Sequence, residues 1–437
     1  MRYKRYPKYK DCGVEWIGEV PTHWEVRRLR HVAPFFNSNV DKKGYDGQQA
    51  VRLCNYTDVY NNEFITPSLP FMEATATEAE IRQFAVRRGD VLITKDSEDP
   101  ADIGIPALVA DEMLGVVCGY HLTIIRPAGV VTGRYLHRSI QSHPAKAHFF
   151  VEAPGITRYG LSQDAIGDTM VCLPPLAEQG AIAAALDRET ARIDALIEKK
   201  SHFVELLKEK RQALITHAVT KGLNQNVKMK DSGVEWIAEV PEHWEIVRCK
   251  WLFYERDDRS TTGAEELLTV SHITGVTPRS EKTVYMFEAE TNEGYKRCRT
   301  GDLVVNTLWA WMGAMGVCSL DGIVSPAYNV YTPSDRFLPA FVDMIVRMPV
   351  LATEVTRYSK GVWTSRLRLY PEGFFEVDFA VPPAAEQKTI IEHVSALVSR
   401  IDALMAKTER SITLLKERRS ALITAAVTGQ IDLREAV

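Results

Sequence analysis

Apolar residues recur at helical intervals, mostly three, four and seven residues apart, in two stretches of the chain. The first stretch holds Ile182, Leu186, Ile193, Leu196, Phe203, Leu207 and Leu214, and the second Ile390, Val394, Ile401, Leu404, Ile412, Leu415 and Leu422. This spacing is typical of helices that pair in a coiled coil. Each stretch follows a Pro-Pro pair and runs to Gly222 or Gly429 without an internal proline. The pattern therefore predicts two long helices.

A different pattern precedes each of these helices. Short runs rich in β-branched and aliphatic residues alternate with turns, which is typical of strands. In the first half of the chain the predicted strands cover residues 50–54, 89–94 and 121–127, with a helix near 135–151. In the second half they cover residues 266–270, 301–306 and 329–333, with a helix near 339–359. Each half thus predicts an α/β module followed by a long helix.

The two halves are an internal repeat. Residues 13–26 return as residues 233–246 with eleven of fourteen positions identical, and L-P-P-L-A-E-Q at 173–179 corresponds to V-P-P-A-A-E-Q at 381–387. The second module begins just beyond the end of the first helix. To bury its apolar stripe against that helix, the second helix must run antiparallel to it.

These patterns give the predicted architecture. We expect an α/β (α+β) chain in which two similar modules are separated by two long helices that form an antiparallel coiled coil with pseudo-twofold symmetry. The predicted segments are a first module at residues 1–172, a first helical spacer at 173–222, a second module at 223–380 and a second helical spacer at 381–437.

Composition narrows the class of protein. The 437 residues carry a formal net charge of −4, which argues against a protein that coats DNA non-specifically. There is no run of eighteen apolar residues, so no membrane segment is expected. The seven cysteines are scattered and never spaced C-x-x-C, which favours a reducing cytoplasm and indicates no zinc site.

Motifs for catalysis are missing from the sequence. It contains no G-x-x-x-x-G-K-[ST] phosphate loop and no Asn-Pro-Pro or Asp-Pro-Pro followed by an aromatic residue. Asp194 with Glu198, Lys199 and Lys200 mimics a nuclease set, but on this helical pattern it indicates a solvated coiled-coil face. We therefore expect a chain that is not an enzyme by itself and binds no cofactor or metal.

Several repeated residues are interpreted as structural. The tryptophans of the repeated peptide, Trp16, Trp24, Trp236 and Trp244, are expected in the core, because a repeated tryptophan usually means the same packing twice. We interpret His23 and His243 as structural as well. The Gly-Asp pairs at residues 89–90 and 301–302 predict tight turns before buried strands.

The combination of motifs resembles the DNA-specificity subunit (S subunit, HsdS family) of type I restriction-modification enzymes. The motifs that carry the resemblance are V-E-W-I-G-E-V-P-x-H-W, the G-D-V-L turn, L-P-P-L-x-E-Q at the start of a long helix, and A-L-I-T-x-A-V-T-G at its end. The resemblance implies two target-recognition domains, each reading one half of an asymmetric bipartite site in double-stranded DNA. It also implies two modification subunits docked on the helices, restriction subunits that complete the nuclease, and S-adenosylmethionine, ATP and Mg bound by those partners.

Base recognition needs only a few donors on loops, so basic, amide and aromatic residues in turns are the candidates for DNA contacts. In the first module they are Lys42, Lys43, Lys95, Arg158 and Tyr159. In the second module they are Asn306, Trp309, Trp311, Lys360, Trp363, Arg366 and Arg368. Arg158 and Arg366 are favoured because both copies place arginine at the same offset of 208 residues. The alternative for each residue is a solvated surface side chain.

Two other functions compete with DNA recognition. A self-contained methyltransferase or nuclease is disfavoured by the missing motifs. A two-headed coiled-coil scaffold that binds protein or glycan partners is consistent with the composition, and only the family resemblance places it second.

Overall fold

A computed structural model of the chain describes residues 3–282, 291–363 and 366–434. These residues form two compact units, one made of residues up to 201 together with those from 410 onwards, and the other of residues 202–409. None of the described helices has the length and apolar character needed to cross a membrane.

The strands of the first part of the chain are short. They are β1 (Tyr9–Asp11), β2 (Glu19–Pro21), β3 (Glu25–Arg28), β4 (Phe35–Asn37), β5 (Gln49–Cys54), β6 (Phe64–Ile65), β7 (Met72–Ala76), β8 (Val91–Thr94), β9 (Asp96–Ser97), β10 (Pro106–Val109), β11 (Val116–Cys118), β12 (Leu122–Ile125), β13 (Tyr159–Gly160) and β14 (Met170–Leu173). The helices are α1 (Tyr56–Asn61), α2 (Glu78–Phe84), α3 (Gly133–Ile140), α4 (His143–Glu152), α5 (Gln163–Gly167) and α6 (Leu176–Lys221), with 3-10 turns at Leu29–His31 and Pro100–Asp102.

The described residues of the second part repeat the plan with fewer elements. Its strands are β15 (Met229–Asp231), β16 (Glu239–Pro241), β17 (Glu245–Arg248), β18 (Phe253–Glu255), β19 (Leu268–Ser271), β20 (Gly275–Pro278), β21 (Lys296–Cys298), β22 (Leu303–Asn306), β23 (Met315–Val317), β24 (Gly322–Val324), β25 (Tyr328–Pro333) and β26 (Asp378–Val381). Its helices are α7 (Pro339–Val346), α8 (Pro349–Arg357), α9 (Pro371–Phe375) and α10 (Ala384–Val427), with 3-10 turns at Cys249–Trp251, Arg279–Glu281 and Ala310–Met312.

The main sheet of each unit is centred on the strand that follows a Gly-Asp turn. In the first unit the order is β4-β12-β8-β10-β6, where only the β10–β6 pair is parallel. In the second unit the order is β18-β25-β22-β23 and all pairs are antiparallel. Strands β8 and β22 are buried at every position, which places the core on both faces of these sheets.

The Gly-Asp turns are confirmed, and the structure explains the aspartate. Gly89 and Gly301 have φ values of 90° and 94°, a region that glycine adopts without strain. Asp90 accepts a hydrogen bond from the backbone N–H of Arg87 at 2.9 Å and pairs with Arg126 at 2.8 Å. Asp302 likewise accepts the N–H of Arg299 at 2.8 Å and pairs with Arg256, which follows β18, at 2.8 Å. Both carboxylates therefore fix the start of the central strand.

The helix predicted at residues 135–151 was wrong in its length, and so was that at 339–359. Each is two helices, α3 and α4 in the first unit and α7 and α8 in the second. Pro349 is the first residue of α8 and Pro144 the second residue of α4, because proline lacks the N–H that a continuous helix would need and its ring clashes with the carbonyl four residues earlier.

The two long helices run antiparallel where they meet. In the first unit Asp194 of α6 pairs with Arg419 of α10 at 2.9 Å, and Glu178 in the first turn of α6 lies 3.9 Å from Arg434, just beyond the end of α10. A higher residue number on one helix thus meets a lower number on the other. In the second unit Arg211 pairs with Asp402 at 3.0 Å in the same sense.

The repeated peptides meet at the first turn of the helix. In the first unit the indole Nε1 of Trp24 donates to Glu178 at 3.1 Å, and His23 Nε2 lies 2.8 Å from the same carboxylate. Gln179 receives a hydrogen bond from the backbone N–H of Thr132 at 2.9 Å, which ties α3 to α6. The opening peptide and the Pro-Pro-x-x-Glu-Gln motif are therefore the two sides of one joint.

The second unit builds the same joint. Trp244 Nε1 donates to Glu386 at 3.1 Å and His243 Nε2 lies 2.8 Å from it, while Gln387 receives the N–H of Leu338 at 2.9 Å. Trp24 and Trp244 are completely buried, as predicted.

The prediction that the other two tryptophans lie in the core was wrong for Trp16. This side chain is 61% exposed. Trp236 packs edge-on against Phe379 with ring centroids 6.1 Å apart, whereas the first unit has the smaller Val171 at the position of Phe379. A valine offers less surface for the indole ring to cover.

Candidate nucleic-acid interface

Two distant segments of the first unit meet at the end of its central strand. The carbonyl of Lys95, which follows β8, accepts a hydrogen bond from the backbone N–H of Leu161 at 2.8 Å. Beside this bond β9 pairs with β13, so that Tyr159 lies opposite Ser97. The structure therefore brings together Lys95 and the Arg158–Tyr159 pair, which the sequence selected separately.

Arg158 is held in place by an acidic residue that the sequence reasoning missed. Its Nη2 donates to Asp96 Oδ1 at 2.9 Å, and the other carboxylate oxygen lies 2.8 Å from His121 Nδ1. Asp96 raises the pKa of Arg158 by this hydrogen bond. The arginine side chain is 59% exposed and that of Asp96 17%, so the carboxylate positions a guanidinium that faces solvent.

An aromatic pair extends this cluster. Lys95 Nζ lies 4.6 Å from the ring centroid of Tyr120, which is a cation–π distance. Burial lowers the pKa of Lys95. Tyr120 meets His121 edge-on at 4.6 Å and is 52% exposed. The result is a polar surface of cations and rings around Asp96, which we call the Asp96 cluster: Lys95, Asp96, Tyr120, His121, Arg158 and Tyr159.

Sequence order contains a signal for the missed residues. Tyr120 and His121 precede β12, and Asp96 follows β8. Because β8 and β12 are antiparallel neighbours, the start of one lies beside the end of the other. A prediction from the sequence that β8 and β12 are paired would place His121 next to Asp96.

Lys42 and Lys43 lie on a separate loop. Both side chains are exposed, and the loop begins after Val40, whose carbonyl accepts the N–H of Tyr120 at 3.0 Å. Within the described residues, no side-chain contact joins either lysine to the Asp96 cluster. Their role in DNA binding stays a prediction.

The second unit repeats the backbone junction. The carbonyl of Thr307, which follows β22, accepts the N–H of Leu369 at 3.1 Å, as Lys95 does with Leu161. Lys360 and Arg368 exchange two backbone hydrogen bonds of 2.9 Å each, and we call the two segments that this bridge joins, residues 360–363 and 366–368, the hairpin. The turn after β22 and this hairpin therefore meet, as do the corresponding segments of the first unit.

The side chains at this second junction are aromatic. Trp309 and Trp311 stack with centroids 6.1 Å apart and an angle of 23° between their planes. Trp311 donates its Nε1–H to the carbonyl of Leu308 at 3.0 Å. Asn306 is 5% exposed, and its Oδ1 accepts from the N–H of Leu308 at 3.2 Å. Asn306 thus stabilises the turn from its buried side, while Trp309 is half-exposed.

The hairpin carries the remaining candidates on its surface. Lys360, Trp363, Arg366 and Arg368 are all exposed, and the backbone N–H of Arg366 donates to the carbonyl of Trp363 at 2.8 Å. Thr364 and Ser365 between them lie outside the described residues. These positions agree with the candidate contacts in exposure but do not test them.

Metal binding finds no support in the part of the chain that the structure describes. No group of three or more His, Cys, Asp or Glu side chains there is arranged to hold a metal ion. The chemistry of both junctions is that of donors, cations and rings on exposed loops.

Comparison with known proteins gives relatives of one kind. A specificity subunit of Methanocaldococcus jannaschii, the putative type I restriction enzyme MjaX specificity subunit, is 24% identical over 233 residues, which are 53% of this chain and 53% of that protein. The type I restriction enzyme EcoBI specificity subunit of Escherichia coli is 24% identical over 295 residues, 63% of this chain and 61% of that protein. The chain resembles type I restriction enzyme specificity subunits.

Solved structures support the same likeness at the level of the fold. A chain of a type I R-M system structure superimposes with a TM-score of 0.70 at 16% identity, covering 93% of this chain and 98% of that one. The HsdS subunit from Thermoanaerobacter tengcongensis gives a TM-score of 0.53 at 17% identity, covering 94% and 98%. No protein-family model matches the chain. The mixed α/β fold with its long helices is therefore shared with these solved structures. The curated relatives, which are named as specificity subunits, do not favour the scaffold alternative.

Proposed function

We propose that the chain is the sequence-specific DNA-binding subunit of a type I restriction-modification complex, with each unit reading one half of an asymmetric bipartite site. The observation that carries the proposal is the repeated junction, at which Lys95 and Thr307 accept the same backbone hydrogen bond from Leu161 and Leu369. Each junction presents exposed cations and aromatic rings at the end of a central strand.

The arrangement suits base reading rather than non-specific binding. The net charge of −4 gives no general attraction to phosphates, so DNA affinity must come from local surfaces. An arginine held by a carboxylate, as Arg158 is by Asp96, keeps free N–H groups in a fixed orientation for guanine O6 and N7. Shared backbone geometry with different side chains gives two half-sites of different sequence.

The proposal extends to the partners. Two modification subunits dock on α6 and α10 and supply S-adenosylmethionine and adenine methylation, and restriction subunits with ATP and Mg supply cleavage. This chain contributes no catalytic residue and binds none of these cofactors. We propose a cytoplasmic location because the ligand is chromosomal DNA.

The test is the methylated motif produced by the complex of this chain with its modification subunit, determined by sequencing genomic DNA. Arg158→Gln should relax one half-site and Arg366→Gln the other, with a loss of about 1–3 kcal/mol in binding when the guanidinium is bidentate to guanine. A phosphate contact should instead weaken all sequences alike and reduce the salt dependence. A complex that methylates without any bipartite motif would contradict the proposal.

Catalysis by the chain alone is a separate arm of the test. The purified polypeptide with S-adenosylmethionine and DNA should give no methyl transfer, and with ATP and Mg no cleavage. Activity of the polypeptide alone would remove the non-catalytic role while leaving DNA recognition open to the motif experiment.

A further inference from the structure

The turn after β22, residues 307–313, presents an apolar surface. Leu308 is 38% exposed, Trp309 50% and Met312 37%. We call these three side chains the tryptophan knuckle. Large apolar groups on the surface of a water-soluble unit require a reason, and here they lie beside a hairpin of exposed cations.

The turn is rigid. The N–H groups of Met312 and Ala314 both donate to the carbonyl of Trp309, at 3.0 and 3.1 Å. Gly313 closes the turn with a φ of 85°, and an added Cβ there would also touch Ala352 at 3.6 Å. Trp309 is therefore presented by a fixed backbone, with Trp311 stacked against it.

A buried polar chain anchors the turn to the sheet. Thr307 accepts from Asn329 Nδ2 at 3.2 Å, and Asn329 accepts from Lys296 Nζ at 3.3 Å. All three residues are less than 9% exposed. Polar groups at this depth persist only when they are hydrogen-bonded, so the chain holds the position of the turn as well as its shape.

The neighbouring hairpin makes the knuckle electropositive. Lys360, Arg366 and Arg368 are exposed, and among the residues that the structure describes no ion pair neutralises any of them. The bond between Leu369 and Thr307 joins hairpin and turn directly. An apolar surface flanked by three cations complements a groove floor of bases bordered by phosphates.

The first unit differs at the same positions. Lys95, Asp96 and Ser97 follow β8 where Thr307, Leu308 and Trp309 follow β22. At this backbone junction the first unit therefore has two polar side chains, Asp96 and Ser97, where the second unit has the apolar Leu308 and Trp309. The two half-sites must then be read by different chemistry.

We propose that the tryptophan knuckle reads thymine through its C5-methyl group in the major groove. This inference rests on the proposed function. The thymine methyl is the apolar feature that distinguishes base pairs in that groove, and burial of one methyl against the indole excludes water from both. Trp309 provides the contact surface, and Leu308 and Met312 border it.

The experiment uses the full chain in complex with its modification subunit. The DNA duplexes carry the recognition motif that methylation of genomic DNA identifies. Each thymine of either half-site is replaced singly by deoxyuridine, which deletes the methyl and keeps every hydrogen-bonding group. We expect affinity to fall about fourfold for each methyl that the knuckle contacts. The same substitutions are measured with Trp309→Ala, which should bind more weakly and no longer respond at those thymines.

Two variants serve as controls. Trp309→Phe keeps an aromatic surface and should restore part of the response to deoxyuridine. Trp251→Ala removes another exposed tryptophan of the same unit, 67% exposed, and should leave both affinity and response unchanged. Deoxyuridine at thymines read by the Asp96 cluster should have the same effect with and without Trp309.

The outcomes separate this inference from the proposed function. Equal sensitivity to deoxyuridine in wild type and Trp309→Ala, or no sensitivity at any thymine, overturns the reading of methyl groups while specific binding stands. Loss of assembly with the modification subunit in Trp309→Ala, with the DNA preference unchanged, assigns the knuckle to a protein contact and also overturns it. A complex without any sequence preference overturns both.

Discussion

The two units share a frame but differ in how a module helix packs against a long helix. In the first unit Arg138 of α3 is 2% exposed and donates to Asp187 of α6 at 2.7 Å and to Glu63. The equivalent residues of the second unit, counted from the shared Gln179 and Gln387 joints, are Met344 and Ser395. An ionic network in the first unit thus corresponds to two uncharged residues in the second, where Met344 packs against the hydrophobic core.

Arg419 of α10 completes the network by binding Glu63 and Asp194. Burial alone would raise the pKa of Glu63, but Arg138 and Arg419 together lower it. The comparison teaches that the repeat preserves the joints between the opening peptide and the long helix, where both copies need one geometry. Between these joints, the side chains that pack the module helix against the long helix differ in charge.

The largest expected effect comes from giving the first unit the residue of the second. Arg138→Met leaves Asp187 without its nearest partner and Glu63 paired with Arg419 alone among its two arginines, and should destabilise the first unit by about 3 kcal/mol. This is the low end for a broken buried pair, because the two carboxylates are 24% and 28% exposed. Hydrogen exchange of α3 compared with α7 measures the effect in each unit separately.

A second substitution sharpens that comparison. Adding Asp187→Ser to Arg138→Met removes one of the stranded carboxylates and should recover part of the loss, since a buried ion pair replaced by neutral residues is often tolerated. If the double variant is no more stable than Arg138→Met, the cost lies in packing and not in unpaired charge.

As the pH falls, the free energy of unfolding should decrease in the first unit before it does so in the second. Burial lowers the pKa of His137 from 6.5 to about 3, and the second unit has Asp343 at this position. The unfolded chain therefore binds a proton more readily than the folded unit below pH 6.5. The free energy of unfolding should be unaffected above that pH and should fall by about 2 kcal/mol at pH 5.

Hydrogen exchange of α3 at pH 7 and pH 5, corrected for the intrinsic exchange rate, detects this loss. His137→Asn should remove the difference between the two pH values. An acid-induced loss of the same size in α7 would show that the effect is not specific to the buried histidine.

Replacing the carboxylates at the two joints should lower stability by smaller amounts, and the amounts should differ between the units. Glu178→Ala leaves the buried indole N–H of Trp24 without its acceptor and should cost about 1–2 kcal/mol. Glu386 is 28% exposed against 7% for Glu178, so water can replace it and Glu386→Ala should cost less than about 1 kcal/mol. Protection of β3 and β17 in hydrogen exchange compares them, and equal losses would contradict the role of burial.

The smallest expected effect distinguishes the two repeated tryptophans. Trp16→Ala should change stability by less than about 0.5 kcal/mol because its ring is largely exposed. Trp236→Ala removes the edge contact with Phe379 and should cost about 1 kcal/mol. Hydrogen exchange of each unit, measured as denaturant is added, gives both changes in the free energy of unfolding. A larger loss for Trp16 would show that it packs in a way that its exposure does not reveal.

Much of the frame could be predicted from the sequence because it depends on local pattern. The spacing of Ile182, Leu186 and Ile193 predicted α6, and Gly89-Asp90 predicted a turn that the structure confirms. The break between α3 and α4 was missed although Pro144 marks it. Periodicity favours one helix there, whereas Pro144 lacks the N–H that a continuous helix would need.

The candidate site was less predictable because it forms from loops without a period. Basic residues such as Arg158 could be selected by type, but Asp96 and His121 gained their meaning only from strand pairing. Asn306 is an amide whose surroundings the sequence does not reveal: the structure buries it, and its Oδ1 accepts the N–H of Leu308, while its role in DNA binding stays a prediction.

The sequence by itself determined the repeat, the long helices and the chemical types available at each turn, because these follow from the order of residues along the chain. Only the tertiary structure decided which turns meet, that Asp96 holds Arg158, and that Arg138 is buried and paired with Glu63 and Asp187. Such contacts join residues dozens to hundreds of positions apart, and their energies depend on burial that exists only after the strands and helices have packed.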